Sequence, residues 1–316
     1  MTPLGPQDRI WIAGGRSLVG AALGRVLARA GGPTAVTGPE PDLLDRRAVD
    51  RFVARTRPDF VVVAAGPSGG IGANQRRPAS LMHDNLLVAC HVLDAARRHG
   101  VRKLLYLGSS CAYPRDAAQP MAASSLLTGP LEPTSRPYAM AKLSGLVLCE
   151  AYRRQHGARF VAAIPADVYG PDDVFSVEDS HVVGALVRRM VEAERSGAPA
   201  LELWGTGAAR RDFVYADDVA EACLVVLAAY DGEEPINLGT GGDVAIRTLA
   251  ETLREVTGFG GELRFDASRP DGAPRKGLDG AALAALGWRP RTSLRDGLEA
   301  TVAAYRRRTD AAAVAV

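Results

Sequence analysis

The chain has 316 residues, of which 47% are hydrophobic and 23% charged, and its formal net charge is +2. Those proportions exclude a disordered chain, and so mild a charge excludes the broad basic surface that nucleic acid or an anionic membrane demands. A chain of this length makes one large α/β unit or two intimate domains. No run of about 18 apolar residues is there to span a membrane.

In chain order, Arg9 to Ala13 is a short apolar strand that enters Gly14-Gly15-Arg16-Ser17-Leu18-Val19-Gly20, and a helix runs on to about Ala30. A brief strand from Thr34 to Thr37 and a helix from Arg46 to Thr56 follow. Phe60 to Ala65 is a continuous apolar run with three valines, the pattern of a strand buried on both faces. A helix is expected from Leu81 to His99, a strand from Lys103 to Gly108, a helix from Tyr138 to His156 and a strand from Phe160 to Ile164. Strands alternating with helices imply a parallel sheet covered on both faces.

After Pro165 the pattern loosens. The stretch from Gly170 to Ser180 reads as loop, His181 to Ser196 as helix, and Leu201 to Trp204 as a short strand. Asp217 to Tyr230 is a helix, Pro235 to Leu238 a strand, Ile246 to Thr257 a helix, and Pro270 to Lys276 a loop. The last ten residues read as a frayed tail. The N-terminus, Met1-Thr2-Pro3-Leu4-Gly5-Pro6, has neither a basic region nor an apolar core, so it is not expected to be a signal peptide, and the expected compartment is the cytoplasm. Cys90, Cys111, Cys149 and Cys223 form no CxxC pair, so neither a metal site nor a disulfide framework is expected.

Strand, glycine turn and helix at the start of the chain make the arrangement that binds a dinucleotide: the backbone approaches the pyrophosphate, and the helix N-terminus offers unpaired N–H groups. The spacing here is Gly14-x-x-Ser17-x-x-Gly20. An acidic residue at the end of the second strand selects NAD, an arginine NADP. That strand ends Thr37-Gly38, with neither, while Arg16 in the turn is placed to reach a 2′-phosphate; the balance leans to NADP(H). Asp42-Leu43-Leu44-Asp45 either lines the adenine pocket or caps the next helix.

Tyr138 and Lys142 sit at i and i+4, on one face of a helix. A tyrosine with a pKa of about 10 is a poor proton donor at neutral pH, and a nearby ammonium lowers that value. Ser109 and Ser110 follow the strand Lys103 to Gly108, at the carboxyl end of the sheet where ligands sit. Ser, Tyr and Lys in this order suit hydride transfer with proton transfer at the neighbouring oxygen. The order of parts resembles the extended short-chain dehydrogenase/reductase superfamily, whose members act mostly on nucleotide sugars. Ser109-Ser110-Cys111-Ala112-Tyr113-Pro114 lacks the Thr-Asp-Glu-type triplet of its dehydratases. Cys111 lies two residues after Ser109, and in an extended segment both would face one side, a thiol beside the substrate carbonyl. A carbon next to a ketone is acidic enough for a thiolate to deprotonate, and histidine, with a pKa near about 6.5, is the usual opposing acid.

Further motifs carry a closer resemblance. Gly69-Gly70-Ile71-Gly72-Ala73-Asn74, Leu107-Gly108-Ser109-Ser110-Cys111, Leu131-Glu132-Pro133-Thr134, Pro137-Tyr138-Ala139-Met140-Ala141-Lys142, Ser180-His181-Val182-Val183, Arg211-Asp212-Phe213 and Pro270-Asp271-Gly272-Ala273-Pro274-Arg275-Lys276 are similar to the GDP-L-fucose synthase family, in the same order from about residue 9 to residue 306. The resemblance implies 3,5-epimerisation and 4-keto reduction of a GDP-4-keto-6-deoxyhexose or related GDP-keto-sugar with NADPH. It implies Ser109, Tyr138 and Lys142 as the reducing triad, Cys111 as the epimerisation base and His181 as the acid. It also implies that Leu43, Leu107, Gly108, Pro165, Asp167, Val168 and His181 border the cofactor beside the glycine turn. Arg189, Trp204 and Arg211 would contact the sugar nucleotide, with Asp271 and Lys276 in a loop closing over it. A homodimer through the helices from Leu81 and Tyr138 is implied as well.

Three departures stand out. Ser17 replaces the usual middle glycine, Gly38 stands where the family has an arginine for the 2′-phosphate, and Asp167 replaces an asparagine. Gly38 leaves NAD(H) as the alternative cofactor. The expected fold is a Rossmann-type doubly wound parallel sheet with a smaller, discontinuous substrate-binding α/β domain. Residues 1–168, with 213–242 returning, would bind the dinucleotide; 169–212 and 243–306 would bind the nucleotide sugar; 307–316 would be a flexible tail. The rival readings are a single-function relative, either a 4-ketoreductase or an epimerase of another sugar such as a GDP-heptose, and a non-catalytic cofactor-sensing protein.

Overall fold

The computed structural model describes residues 4–36, 38–269 and 271–314. The apolar runs of the first half become its central sheet. Strand β1 (Arg9–Ala13) passes through the glycine turn into helix α1 (Leu18–Ala30), and β2 (Thr34–Ala35) lies at the edge. The expected end of β2, Thr37, falls outside the described residues. Helix α2 (Arg46–Thr56) leads to β3 (Phe60–Val63), in which every residue is buried. Two helices, α3 (Ile71–Arg76) and α4 (Pro78–Arg98), precede β4 (Lys103–Leu107). Helix α5 (Arg136–His156) precedes β5 (Phe160–Pro165).

Beyond β5 come β6 (Asp167–Tyr169), α6 (Val182–Arg195), β7 (Ala200–Trp204), β8 (Arg210–Arg211), β9 (Phe213–Tyr215), α7 (Ala216–Ala229) and β10 (Ile236–Leu238). The chain ends with β11 (Val244–Ala245), α8 (Ile246–Thr257), β12 (Glu262–Asp266), β13 (Arg275–Lys276), α9 (Ala281–Ala285) and α10 (Leu294–Val314). The main sheet is parallel, in the order β2-β1-β3-β4-β5-β10. From β1 the chain goes out to β2 on one side and returns to β3 on the other. The crevice between the carboxyl ends of β1 and β3 is therefore the switch point where a doubly wound sheet of the Rossmann type takes its ligand.

The hydrophobic residues divide into two clusters. One surrounds the main sheet; the other joins α6, α8 and α10 through Val187, Met190, Leu249, Leu253, Leu298 and Val302. Leu278, Leu283 and Trp288, assigned from sequence to the sugar-binding unit, pack in the first cluster, and Phe213 packs in the second. The two halves thus interlock more than a division by chain segments suggests. The expected tail is helical as far as Val314. It is held down by side chains: Asp310 pairs with Arg195 at 2.6 Å, and Arg308 reaches the Asp173 carbonyl at 3.3 Å. Residues 315–316 lie outside the described residues. Among the described residues no helix is long and apolar enough to cross a membrane.

Candidate active site

The glycine turn fits a pyrophosphate. Gly14 has φ +92°, and a Cβ there would lie 2.7 Å from backbone atoms of Ala65, so only glycine lets β1 turn this close to the end of β3. Ser17, standing where the family has glycine, is the N-cap of α1 and accepts a bond from Gly20 N at 3.0 Å. A serine cap satisfies one N–H and keeps the helix N-terminus open to an anion. Gly15, Leu18 and Val19 are half-buried around the turn, and Arg16 is exposed on it. Asp45 caps α2, accepting from Arg47 N at 2.8 Å, while Leu43 is half-buried with its carbonyl 3.0 Å from His91 Nδ1. Sequence reasoning passed over Glu40, whose carboxylate accepts a bond from Gly14 N. The signal was an acid two residues past Gly38, at the place where ribose hydroxyls are recognised.

Behind the turn lie the three residues of the expected reducing group. Ser109 comes two residues after β4, and its hydroxyl acts on the half-buried Tyr138 phenol in the first turn of α5. Lys142 is 6% exposed, and its ammonium donates to the carbonyls of Ala65 at 3.2 Å and Leu107 at 3.3 Å, at the ends of β3 and β4. Burial pushes the Lys142 ammonium down to about 8, near the working range of a proton relay. The expectation that Lys142 lowers the Tyr138 pKa is not met. Burial raises the phenol well above its ordinary value, Cys111 adds to that, and the Ser109 hydroxyl works the other way.

Cys111 is close to Ser109, but not through an extended segment. Ser110–Ala112 form a single 3-10 turn that Ser109 caps, and Cys111 N donates to Ser109 Oγ at 3.3 Å. The turn brings the Cys111 backbone to the Ser109 hydroxyl by curvature. Lys276, from the far end of the sequence, comes to 3.9 Å from Cys111 Sγ.

A second group of residues arrives from the other cluster. His181 caps α6 and is open to solvent on one side. The protein around its ring pushes the imidazole pKa down, and the Asp167 carboxylate pulls it up. Asp167 sits on β6, its N–H donating to the Asp212 carbonyl at 2.9 Å, with Arg211 Nε 4.0 Å from its carboxylate. Strands β8 and β13 pair so that Arg211 and Lys276 are neighbours. Lys276 thus touches Cys111 and pairs with the strand of Arg211, Arg211 reaches Asp167, and the Asp167 charge acts on His181. Pro165 ends β5 and Val168, half-buried, continues it into β6.

Asp271 accepts bonds from Thr206 N at 2.7 Å and Thr206 Oγ1 at 2.6 Å, which hold its carboxyl below the usual range. This joins the Asp271 loop to the turn after Trp204, whose ring is 65% exposed under the Arg269 guanidinium. Arg211 donates to the Ala273 carbonyl at 2.7 Å in the same loop. Arg189 is half-buried on α6 and bonds the Glu202 carbonyl of β7; burial lowers its pKa. Asp212 was not picked out from sequence. It is 1% exposed, burial pushes its carboxyl up to about 6, and Thr240 donates to it through N and Oγ1. From sequence it stood only within the Arg211-Asp212-Phe213 motif, with no role of its own.

The Gly69-Gly70 segment lies under His181. A Cβ at Gly70 would come within 2.8 Å of the Ser180 carbonyl oxygen, so the loop before α6 rests directly on this backbone. Asn74 Nδ2 donates to the carbonyls of Gly69 at 2.9 Å and Gly70 at 3.1 Å and fixes it there.

Residues 10–239 match the NAD dependent epimerase/dehydratase family. GDP-L-fucose synthase 1 of Arabidopsis thaliana is 47% identical over 295 residues, 93% of this chain and 91% of that protein. The chain belongs to the GDP-L-fucose synthase family. Among solved structures, a GDP-L-fucose synthetase from Naegleria fowleri bound to NADP is similar with a TM-score of 0.90 and 25% identity, covering 98% of this chain and 97% of that one. A GDP-mannoheptose C4 reductase from Campylobacter jejuni with NADP bound is similar with a TM-score of 0.87 and 28% identity, covering 96% and 99%. As a member of the GDP-L-fucose synthase family, the chain keeps Ser109, Cys111, Tyr138, Lys142 and His181 at the motifs that define the resemblance.

Proposed function

We propose that this protein epimerises C3 and C5 and reduces the C4 ketone of a GDP-4-keto-6-deoxyhexose, or a close GDP-keto-sugar, with NADP(H). The observation that supports this reading is that Cys111 sits in the turn capped by Ser109 and acts on the Tyr138 phenol, with Lys142 buried one turn further along α5. One polarised oxygen at C4 acidifies both neighbouring carbons, so one site serves both inversions. Cys111, as thiolate, takes the proton from C3 or C5, and the C–H electron pair moves onto the C4 oxygen. Ser109 and Tyr138 hydrogen-bond that oxyanion. His181, as imidazolium, delivers a proton to the opposite face. When bound, NADPH supplies the hydride that reduces C4; Tyr138 gives the proton to its oxygen. Lys142 orients the cofactor ribose and refills Tyr138.

The open glycine turn and Arg16 support NADP(H), and the NADP-bound relatives agree with it. Glu40 on the turn works against a 2′-phosphate and leaves NADH as a second substrate. Arg211 and Arg189 are assigned to the diphosphate, Trp204 and Asp271 to the sugar nucleotide. The exposed Met140 and Val147 on α5 support pairing of two chains along that helix, and four unpaired cysteines suit the cytoplasm. The likeness to a C4 reductase favours one second reading, reduction without epimerisation. Two variants separate the readings. Tyr138→Phe should slow reduction by about 10²–10⁴-fold. Cys111→Ser should abolish deuterium uptake at C3 and C5 while cofactor binding persists. A Tyr138→Phe enzyme that reduces normally, or exchange surviving in Cys111→Ser, contradicts the assignment.

A further inference from the structure

Of 38 Lys and Arg residues only three are Lys. Lys103 is buried, donating to the carbonyls of Val226 at 3.2 Å and Leu227 at 2.7 Å at the end of α7. Lys142 belongs to the reducing group. The third, Lys276, is half-buried with its ammonium 3.9 Å from the Cys111 sulfur. We propose that Lys276 is a positioning residue for epimerisation, pairing with Cys111 as a thiolate and holding that base charged and in place. The proposal rests on the reading of Cys111 as the carbon base.

The backbone around Lys276 is fixed from both halves of the molecule. Strand β13 pairs with β8, and Asp212 N donates to the Lys276 carbonyl at 3.1 Å. On the other side, Gly277 N donates to Gln119 Oε1 at 2.9 Å, and Met121 N donates to the Gly277 carbonyl at 2.8 Å. The ammonium is thus aimed at the sulfur by strand pairing and by two bonds to the segment that follows Cys111.

The other charged or titratable groups of this crevice are engaged elsewhere. Arg275 pairs with Asp243, Arg115 lies 3.6 Å from Asp116, and Glu132 accepts from Thr134 Oγ1 at 3.4 Å. The Tyr138 phenol, from α5, stands beside Ser109 and Cys111 with its pKa raised by burial. A thiol acts as a base only when ionised, and a neighbouring ammonium favours the thiolate. Lysine suits this task better than arginine, because a compact charge faces one sulfur whereas the guanidinium fork matches two oxygens. That accounts for a lysine in a chain that otherwise uses arginine. In the step itself the thiolate gains the proton from carbon and becomes a neutral thiol. The ammonium keeps its protons throughout, and the pair re-forms when the thiol releases its proton to solvent.

The test is alkylation of Cys111 by iodoacetamide, followed on its own peptide by mass spectrometry so that the exposed Cys90 does not interfere. Lys276→Met should slow the reaction about ten-fold at pH 7 and match the wild type at pH 10; Lys276→Arg should recover most of the loss. Deuterium uptake at C3 and C5 should fall in parallel in Lys276→Met, with NADPH affinity unchanged. Wild-type alkylation at pH 7 in Lys276→Met overturns the proposal, and so does a deficit that persists at pH 10, which would indicate altered access. Alkylation needs no sugar nucleotide. Slowed alkylation in a protein that turns over no keto-sugar would therefore keep the ion pair and refute the substrate reading instead.

Discussion

Asp167 is where this chain's chemistry can be tuned by one charge. Its carboxylate is 4.0 Å from Arg211 Nε, and its charge opposes the loss of the His181 imidazole proton that the surrounding protein promotes. Asp167→Asn removes the upward pull and leaves the downward one. The His181 pKa should then fall further, so the imidazolium becomes scarcer at neutral pH. The limb of the epimerisation profile that needs a protonated acid should move to lower pH, and exchange at pH 7.5 should slow. The deuterium-exchange rate against pH checks this, and an unmoved profile would show that Asp167 does not act on the acid. At this scale the sequence was legible where a short motif keeps neighbours together: Ser109 and Cys111 share one turn, and Tyr138 opens the helix that buries Lys142. It was blind to Glu40 and to the Lys276–Cys111 contact, because both depend on where a loop or a distant strand comes to rest.

Among the elements, those with strong ends were the most legible. Helix α2 has Asp45 as its cap, and α8 ends on Gly258 in the left-handed conformation, so both match their expected bounds. The strands β6, β8, β9, β11 and β13 have two or three residues each, too few to show a period, and they exist only through pairing across the chain. Helix α3 was missed because Gly72 within it and Gly69-Gly70 before it weaken the helical signal. Those glycines carry an element-scale prediction. Gly70→Ala should displace the Ser180 carbonyl and with it His181, slowing deuterium exchange while NADPH binding is retained. Equal exchange in the variant would show that the loop shifts without moving the acid.

The loop between β6 and α6 also holds Asp173, which is 4% exposed with Oδ2 buried and unpartnered. Burial pushes its carboxyl up from 3.8 to about 7. The folded state then holds a proton that the unfolded chain releases. Its stabilising contribution is full below about pH 3.8 and is lost as pH rises through 7. Asp173→Asn should gain in thermal midpoint relative to the wild type between pH 5 and pH 8. A constant difference across that range would place the carboxyl elsewhere on the pH scale.

For the molecule as a whole, the residues proposed for the site are carried by two hydrophobic clusters. The glycine turn, Ser109, Cys111, Tyr138 and Lys142 stand on the main sheet and its helices, and His181, Arg189, Trp204 and Arg211 on the smaller unit. Segments from the last third of the chain pack back onto the first cluster through Leu278, Leu283 and Trp288, which anchors β13 beside Cys111. The switch point came with the strand order; the parallel sheet was readable from buried apolar runs. The interlocking was not, since an apolar residue does not declare which cluster it joins.

The central claim is that one site both inverts two carbons and reduces a third. Its most direct test is to mix the wild-type protein with GDP-4-keto-6-deoxy-D-mannose and NADPH in deuterated water. Cofactor oxidation is followed optically and the product by NMR. Oxidation with deuterium at both C3 and C5 is expected. Oxidation with neither carbon labelled would contradict the claim, reducing the protein to a ketoreductase in which Cys111 and His181 take no part.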